Sequence, residues 1–352
     1  MEKRLPNIVE RFNIDGTPGN IAPLGEGFIN DTFFVAMEGE SRPRYILQRK
    51  NSNIFKDIPA MMENIRKVTS HLKSRIAAAG GDPSRETITL IPARDGKFYL
   101  HDGEDYWCMT LFIPDTLSYT YPENEGIAEQ GGRGIGRFQA LLSDFDEPLT
   151  DTLPGFHNIR FRFGQWDRSL ALDPLNRAAS VRPLIGEIEK RRDEMAEFFT
   201  LIENGTIPKR VTHNDTKISN ILFDTENRAL CVIDLDTVLN APCLYDFGDS
   251  IRSYANTGME DDSDLDRVEM DIRMYKAYLN GYLSEAGSFL TGIEREYLPF
   301  SAKYITYEQV LRFLMDYIDG DTYYKTKYRE HNLVRARAQC KLLQSIEKNL
   351  GV

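Results

Sequence analysis

The sequence predicts an α+β protein, with a small antiparallel sheet and one long helix first, then a larger, mainly helical part carrying a β-hairpin. Three observations carry this. Short apolar runs punctuated by Gly, Asp and Asn fill residues 1–113, interrupted by one stretch of helical periodicity. From residue 114 onward, long segments repeat apolar residues at helical spacing. Within that part, two short apolar runs, 221–223 and 229–233, flank a stretch of turn formers and read as a hairpin. At 352 residues there is room for two parts with cores of their own, 1–113 and 114–352.

The elements follow in order. Ile8, Val9 and Phe12 mark a short helix before a Gly-rich turn. Two strand-like pieces then flank Gly25-x-Gly27, with Asn30 or Asp31 where a third glycine would stand. Glycine lets backbone amides approach a triphosphate with no side chain in the way, and Asn tolerates a left-handed backbone. Gly25, Gly27 and Asn30 are therefore candidate nucleotide-binding positions, although Gly-x-Gly in a hairpin is most often only a hairpin. Residues 45–50 form a strand ending in the cations Arg49 and Lys50. Met61, Met62, Ile65, Val68, Leu72 and Ile76 place an amphipathic helix over 57–79, with Pro59 in its first turn and Gly80-Gly81 as its stop. Three strands of a meander, 87–92, 97–101 and 106–113, are split by the turns at 94–96 and 102–104. Helices are expected over 125–142, 178–202, 264–283 and 295–319, and 154–166 reads as an irregular, aromatic-rich loop.

Composition narrows the class. Apolar content of 41% and charged content of 28% describe an ordinary globular protein. The net charge of −11 disfavours non-specific binding to nucleic acid or an anionic membrane. Cys108, Cys231, Cys243 and Cys340 form no C-x-x-C pair, which argues against zinc and fits a reducing compartment. The N-terminus lacks the apolar run of a signal peptide, and no stretch is long enough to span a bilayer. A cytoplasmic location is the expectation.

The chemistry concentrates in 211–252. His213-Asn214-Asp215 is followed five residues after the Asp by Asn220, then by the hairpin, then by Asp234-Leu235-Asp236. A hairpin brings its open ends together, so Asn220 and Asp234 are expected to be neighbours, with Asp215 on the loop before them. Mg²⁺ takes hard oxygen ligands, one or two from protein and the rest from phosphates and water. An Asn amide oxygen and an Asp carboxylate supply such ligands. A further Asp can take the proton of an attacking hydroxyl, and phosphoryl transfer needs little beyond such positioning and charge neutralisation. Asp236 is a second ligand or a cap, with a supporting role favoured, and His213 reads as a donor holding the loop.

The run His213-x-Asp215-x-x-x-x-Asn220, hairpin, Ile233-Asp234 resembles the catalytic and metal loops of the aminoglycoside phosphotransferase and choline kinase group. These are relatives of protein kinases, whose catalytic loop has the same Asp and Asn spacing. The resemblance implies a bilobal protein kinase-like fold, with ATP as donor, Asp215 as base, and Asn220 and Asp234 as Mg²⁺ ligands. Residues 245–249 resemble the group's second acidic motif, which braces the loop beside the acceptor, so Asp246 and Asp249 become substrate-binding candidates. Kinase-like folds also place a Lys on a strand against the α- and β-phosphates. Here that position falls on Gln48 or Arg49, with Lys50 next. Arg49 is a workable phosphate ligand, and a plain surface cation is as good a reading. Glu63 would pair with Arg49 as the helix glutamate pairs with the strand lysine in kinases, or stand as a solvated helix-face charge.

Finer similarity touches the N-acetylhexosamine 1-kinases. It lies in 45–49, 55–57, 62–65, 213–217, 233–237, 245–252 and 305–325, and Lys50 departs from the Ile or Val expected there. It implies ATP- and Mg²⁺-dependent phosphorylation of the anomeric hydroxyl of GlcNAc or GalNAc, with Arg312 and Tyr323 as acceptor-site residues. Arg312 and Asp316 also sit four apart on one helix face, where an ion pair is the plainer reading. The partners implied are ATP and a small hydroxylated sugar. The alternatives are a kinase of choline, homoserine, an aminoglycoside or methylthioribose, and a non-enzymatic pseudokinase-like module, which the intact Asp215, Asn220 and Asp234 oppose.

Overall fold

The computed structural model describes residues 4–25 and 29–352, so Gly27 lies outside the described residues. The chain forms two compact units. One comprises Met1–Leu117, Asp144–Leu153 and Leu222–Leu239; the other comprises Ser118–Ser143, Pro154–Ile221 and Asn240–Val352.

The first unit contains α1 (Leu5–Val9), β1 (Pro18–Pro23), β2 (Asp31–Met37), β3 (Tyr45–Lys50), α2 (Ile58–Ala78), β4 (Leu90–Ile91), β5 (Leu100–His101) and β6 (Tyr106–Leu111). Its sheet is antiparallel in the order β1-β2-β3-β6-β4, with β5 also on β6. Side chains alternate along a strand, and one set (Phe33, Val35, Tyr45, Leu47, Trp107, Met109) joins Leu5, Val9 and Phe12 in a buried core. The other set, Gln48, Lys50 and Cys108, therefore faces the opposite side. Helix α2 starts where Asp57 accepts from Ala60 N (3.0 Å), and buries the apolar stripe read from the sequence.

The meander does not form. Leu90 pairs with Thr110 and Leu100 with Trp107, so β4 and β5 lie end to end along β6. Pro92 follows β4 and has no N–H to extend a ladder. Asp102 follows β5, and its carboxylate accepts from Glu104 N (3.0 Å), Asp105 N (2.9 Å) and Trp107 Nε1 (3.1 Å), turning the chain at once.

The hairpin does form. β8 (Ile221–Phe223) pairs with β9 (Ala229–Val232), and the Asp224 carboxylate caps the turn through Glu226 N and Arg228 N, both at 2.9 Å.

The second unit is helical around one short strand pair, β7 (Arg210–Thr212) with β10 (Leu239–Ala241). Its helices are α3 (Glu125–Leu141), α4 (Ile159–Leu172), α5 (Arg182–Glu189), α6 (Arg192–Glu203), α7 (Cys243–Tyr254), α8 (Ile272–Ala286), α9 (Gly292–Glu296), α10 (Leu298–Ile318) and α11 (His331–Leu350). Much of the expected irregular loop is helix. Asn158 caps α4 through Phe161 N (3.0 Å), and Ile159, Phe163 and Trp166 line its buried face. The helix expected over 178–202 breaks at Arg191, whose buried guanidinium bridges Glu187 and Glu347. The one over 295–319 restarts at α10, with Pro299 in its first turn. The one over 264–283 begins only where Asp271 caps Arg273 N (2.8 Å). The sequence reading had no counterpart of α11. No helix among the described residues is long and apolar enough to cross a membrane.

Candidate active site

In the first unit, strand alternation decides which cation matters. Lys50 turns onto the same face as Gln48, and its side chain is 3% exposed. Its Nζ donates to Asp236 Oδ1 (2.6 Å) and Gln48 Oε1 (2.9 Å). Asp236 Oδ2 accepts from Asn30 Nδ2 (2.7 Å), and Asn30 Oδ1 in turn accepts from Asn51 N (3.1 Å). Burial alone would pull the Lys50 ammonium down. Asp236, with Asp234 also nearby, carries it above the ordinary lysine range. The same burial pushes the Cys108 thiol up to about 11. Asp234 stands two residues past β9 with φ 61°, a left-handed backbone. For a non-glycine residue this costs on the order of 1–3 kcal/mol and concentrates at functional sites.

At two residues the structure selects between readings that the sequence left even. Arg49 falls one residue out of phase and is held by Asp31 and by Asp105 (3.5 Å), away from the Lys50 cluster. Glu63 binds Arg66 Nε (2.8 Å) and Nη2 (2.6 Å) on the solvent side of α2, so no Arg49–Glu63 pair forms. Gly25 has φ 61° and open space where a Cβ would stand. That fits a turn whose backbone must be approached closely.

In the second unit, the loop after β7 carries Asp215. Its side chain is 26% exposed. Oδ2 accepts from Lys217 Nζ (2.9 Å) and Asn220 Nδ2 (3.1 Å), and the same Asn220 amide donates to the Asp215 carbonyl (2.8 Å). Burial works to raise the Asp215 pKa, but Lys217 and Asn220 hold it below the usual carboxylate range. The carboxylate is thus ionised at neutral pH and able to accept a proton. With Asn220 Nδ2 committed, its Oδ1 accepts no hydrogen bond among the described residues and remains available to a cation.

Helix α7 braces this loop. Asp246 is fully buried and accepts from His213 N (3.0 Å), Asn214 N (2.7 Å) and Gln139 Nε2 (2.8 Å). Burial pushes its carboxyl upward against these donors. Asp249 accepts from Thr216 N (2.8 Å) and from Arg252 at 2.9 and 3.1 Å. Both carboxylates brace the loop's backbone, as the resemblance implied for this motif, and each also takes a side-chain donor, Gln139 or Arg252. His213 Nδ1 accepts from Asp215 N (3.2 Å), which places that ring in the loop's frame as well.

Arg312, 8% exposed, lies near the rings of Phe156 (5.9 Å), Tyr323 (5.8 Å) and Tyr324 (5.5 Å). Its Nη1 donates to Gln309 Oε1 (3.2 Å). The ion pair with Asp316 is not made. Asp316 instead accepts from Thr322 N (2.9 Å), Tyr323 N (2.8 Å), Tyr324 N (2.9 Å) and Asn332 Nδ2 (2.8 Å), fixing the turn that presents Tyr323. Sequence reasoning missed Lys217, Gln139 and this capping role of Asp316. Only Lys217 had a local signal, two residues from Asp215.

Among the described residues no group of three or more His, Cys, Asp or Glu side chains stands ready for a metal. The Asn220 side chain of the second unit carries an amide oxygen, and the Asp234 side chain of the first unit a carboxylate. Hard oxygen donors of this kind suit Mg²⁺.

Known proteins share this fold. An aminoglycoside phosphotransferase from Alicyclobacillus acidocaldarius aligns over 97% of this chain and 95% of its own, with TM-score 0.59 and 13% identity. A microcompartment-associated aminopropanol kinase aligns over 100% and 98%, with TM-score 0.56 and 17% identity. An amicoumacin kinase in complex with AMP-PNP and Ca²⁺ aligns over 99% and 93%, with TM-score 0.60 and 13% identity. At these identities the likeness establishes the protein kinase-like fold. The family model described as APH, phosphotransferase enzyme family, matches residues 20–293, and the chain belongs to that family.

Proposed function

We propose that this phosphotransferase moves the γ-phosphoryl group of ATP to the anomeric hydroxyl of an N-acetylhexosamine, GlcNAc or GalNAc, giving the 1-phosphate. The observation that carries the kinase reading is Asp215, ionised and partly exposed, with Asn220 bonded to it at 2.8 and 3.1 Å. Asp215 orients the acceptor hydroxyl and takes its proton as the new P–O bond forms. Its lowered pKa is no obstacle, because the proton leaves late in a loose transition state. Lys50, already charged and held by Asp236, is the first unit's cation for phosphate oxygens, in place of Arg49. Asn220 and Asp234 each carry a hard oxygen that would serve Mg²⁺, which when bound would neutralise the charge of the nucleotide phosphates. Gly25 and Asn30 belong to the nucleotide turn. Arg312 and Tyr323 contact the sugar: the guanidinium is close to aromatic rings, donates to Gln309, and carries further N–H groups suited to ring oxygens.

A second reading, transfer to another small hydroxylated acceptor such as choline, homoserine, an aminoglycoside or methylthioribose, is supported by the aminopropanol and amicoumacin kinases of the same fold. Incubation with Mg-ATP and a panel of hexosamines and amino alcohols separates the two. A product phosphorylated at C1 is expected. Turnover on amino alcohols alone would replace the first reading by the second.

A further inference from the structure

The peptide group joining Asn214 to Asp215 is gripped at both ends. Its N–H donates to His213 Nδ1 (3.2 Å), and its carbonyl faces His157 Nε2 (3.4 Å). Asn214 itself is left-handed, φ 65°, a conformation that Asn tolerates better than most side chains. Rotation of this peptide plane would swing the Asp215 carboxylate, since the plane sets the direction in which the next residue leaves the chain.

His157 is not free to turn. Its Nδ1 lies 2.6 Å from Glu308 Oε2 on α10, and Glu308 Oε1 accepts from Arg162 Nε (3.2 Å) on α4. Tyr304 Oη donates to the His157 carbonyl (3.0 Å). The ring sits against Phe156 (4.2 Å) and Tyr245 (5.1 Å). His157 is 6% exposed and Glu308 1%. One ring nitrogen faces a carboxylate and the other a carbonyl. Nothing in the transfer chemistry uses either group, and their positions are 151 residues apart in sequence.

We infer that Glu308 and His157 form a positioning pair that fixes the Asn214–Asp215 peptide plane and so aims the proton-accepting carboxylate. The pair is a brace reaching from α10 to the loop opposite the grip of His213. Its catalytic consequence rests on the reading of Asp215 given above; its structural consequence does not.

Three variants of the full chain test this: His157→Ala, the near-isosteric Glu308→Gln, and Arg162→Met, which touches Glu308 but not the loop. Hydrogen exchange is followed in the protein alone, without nucleotide or acceptor. Amides of Asp215 and Thr216 are expected to exchange about tenfold or more faster in the first two variants, with α8 unchanged and Arg162→Met near wild type. With Mg-ATP and the acceptor selected from the panel, kcat falls about 100-fold, as a small misplacement of a reacting group does. KM for ATP stays within about twofold, and added imidazole restores part of the kcat of His157→Ala. Unchanged exchange at Asp215 and Thr216 in Glu308→Gln would overturn the inference, as would a loss confined to KM. A chain that phosphorylates no acceptor but shows the faster exchange keeps the brace and loses the kinase reading instead.

Discussion

Asp215 and Lys50 illustrate how far single residues carry the chemistry. Asp215→Asn keeps the side-chain volume but removes the proton acceptor, and turnover is expected to fall by about 10²–10⁴-fold. Nucleotide affinity, read by isothermal titration with Mg-ATP, should hold; an equal loss of affinity and turnover would remove Asp215 from the role of base. Lys50→Met leaves the Asp236 carboxylate, 5% exposed, without its cation. An uncompensated buried charge of this kind costs about 3–5 kcal/mol. Urea unfolding of the variant measures it, and a change below about 1 kcal/mol would mean that water already reaches the pair. The catalytic spacing was legible because a loop's chemistry is written in consecutive residues. The identity of the phosphate-facing cation was not: Gln48, Arg49 and Lys50 differ only in strand phase, and phase is set by Leu47 and Tyr45 joining a core with Trp107 and Met109.

At the scale of elements, the hairpin and α2 were readable because each is specified by its own period and punctuation. The faces the helices turn to one another were not. Helices α3 and α8 approach so closely that a Cβ on Gly281 would stand 1.9 Å from the Glu129 carbonyl oxygen. In an isolated helix, Gly→Ala stabilises by about 1 kcal/mol. Here Gly281→Ala is expected to destabilise by about 1–3 kcal/mol through overpacking, seen as a lowered Tm in thermal unfolding. A raised Tm would show that the two helices separate without cost. The acidic motif of α7 was recognisable in sequence, but the direction of its carboxylates followed from the packing of α7 under the Asp215 loop. That is why Asp246 and Asp249 accept from the loop's backbone amides.

For the molecule as a whole, buried carboxylates set the response to acid. Burial would raise the Glu308 pKa, yet His157 and Arg162 bring it to about 2 from an ordinary 4.5. The folded value lies below the unfolded one. Its contribution is therefore complete above about pH 4.5 and is lost as pH falls toward about 2; a shift of this size corresponds to about 3 kcal/mol. Glu187 and Asp102, also held at about 2, act in the same window and direction. Lys50 has the opposite sign: its stabilisation is present below the ordinary lysine value of 10.5 and fades only at higher pH. Denaturant titrations from pH 7 to 2 should show a steep loss of stability below about pH 4.5. Glu308→Gln should start lower and lose less over that range, and an identical slope would separate Glu308 from the acid transition.

By itself the sequence determined the mixed fold class, the hairpin, the long helix α2 and the Asp215–Asn220 loop with Asp234 beyond it. Each of these depends on neighbours within a few residues, through strand alternation, helical period or a turn-forming side chain. The tertiary structure alone decided that Lys50 rather than Arg49 joins Asp236, which backbone amides Asp246 and Asp249 accept from, and that His157 meets Glu308. Those outcomes depend on which distant surfaces are buried together, and burial is a property of the folded chain that no local spacing encodes.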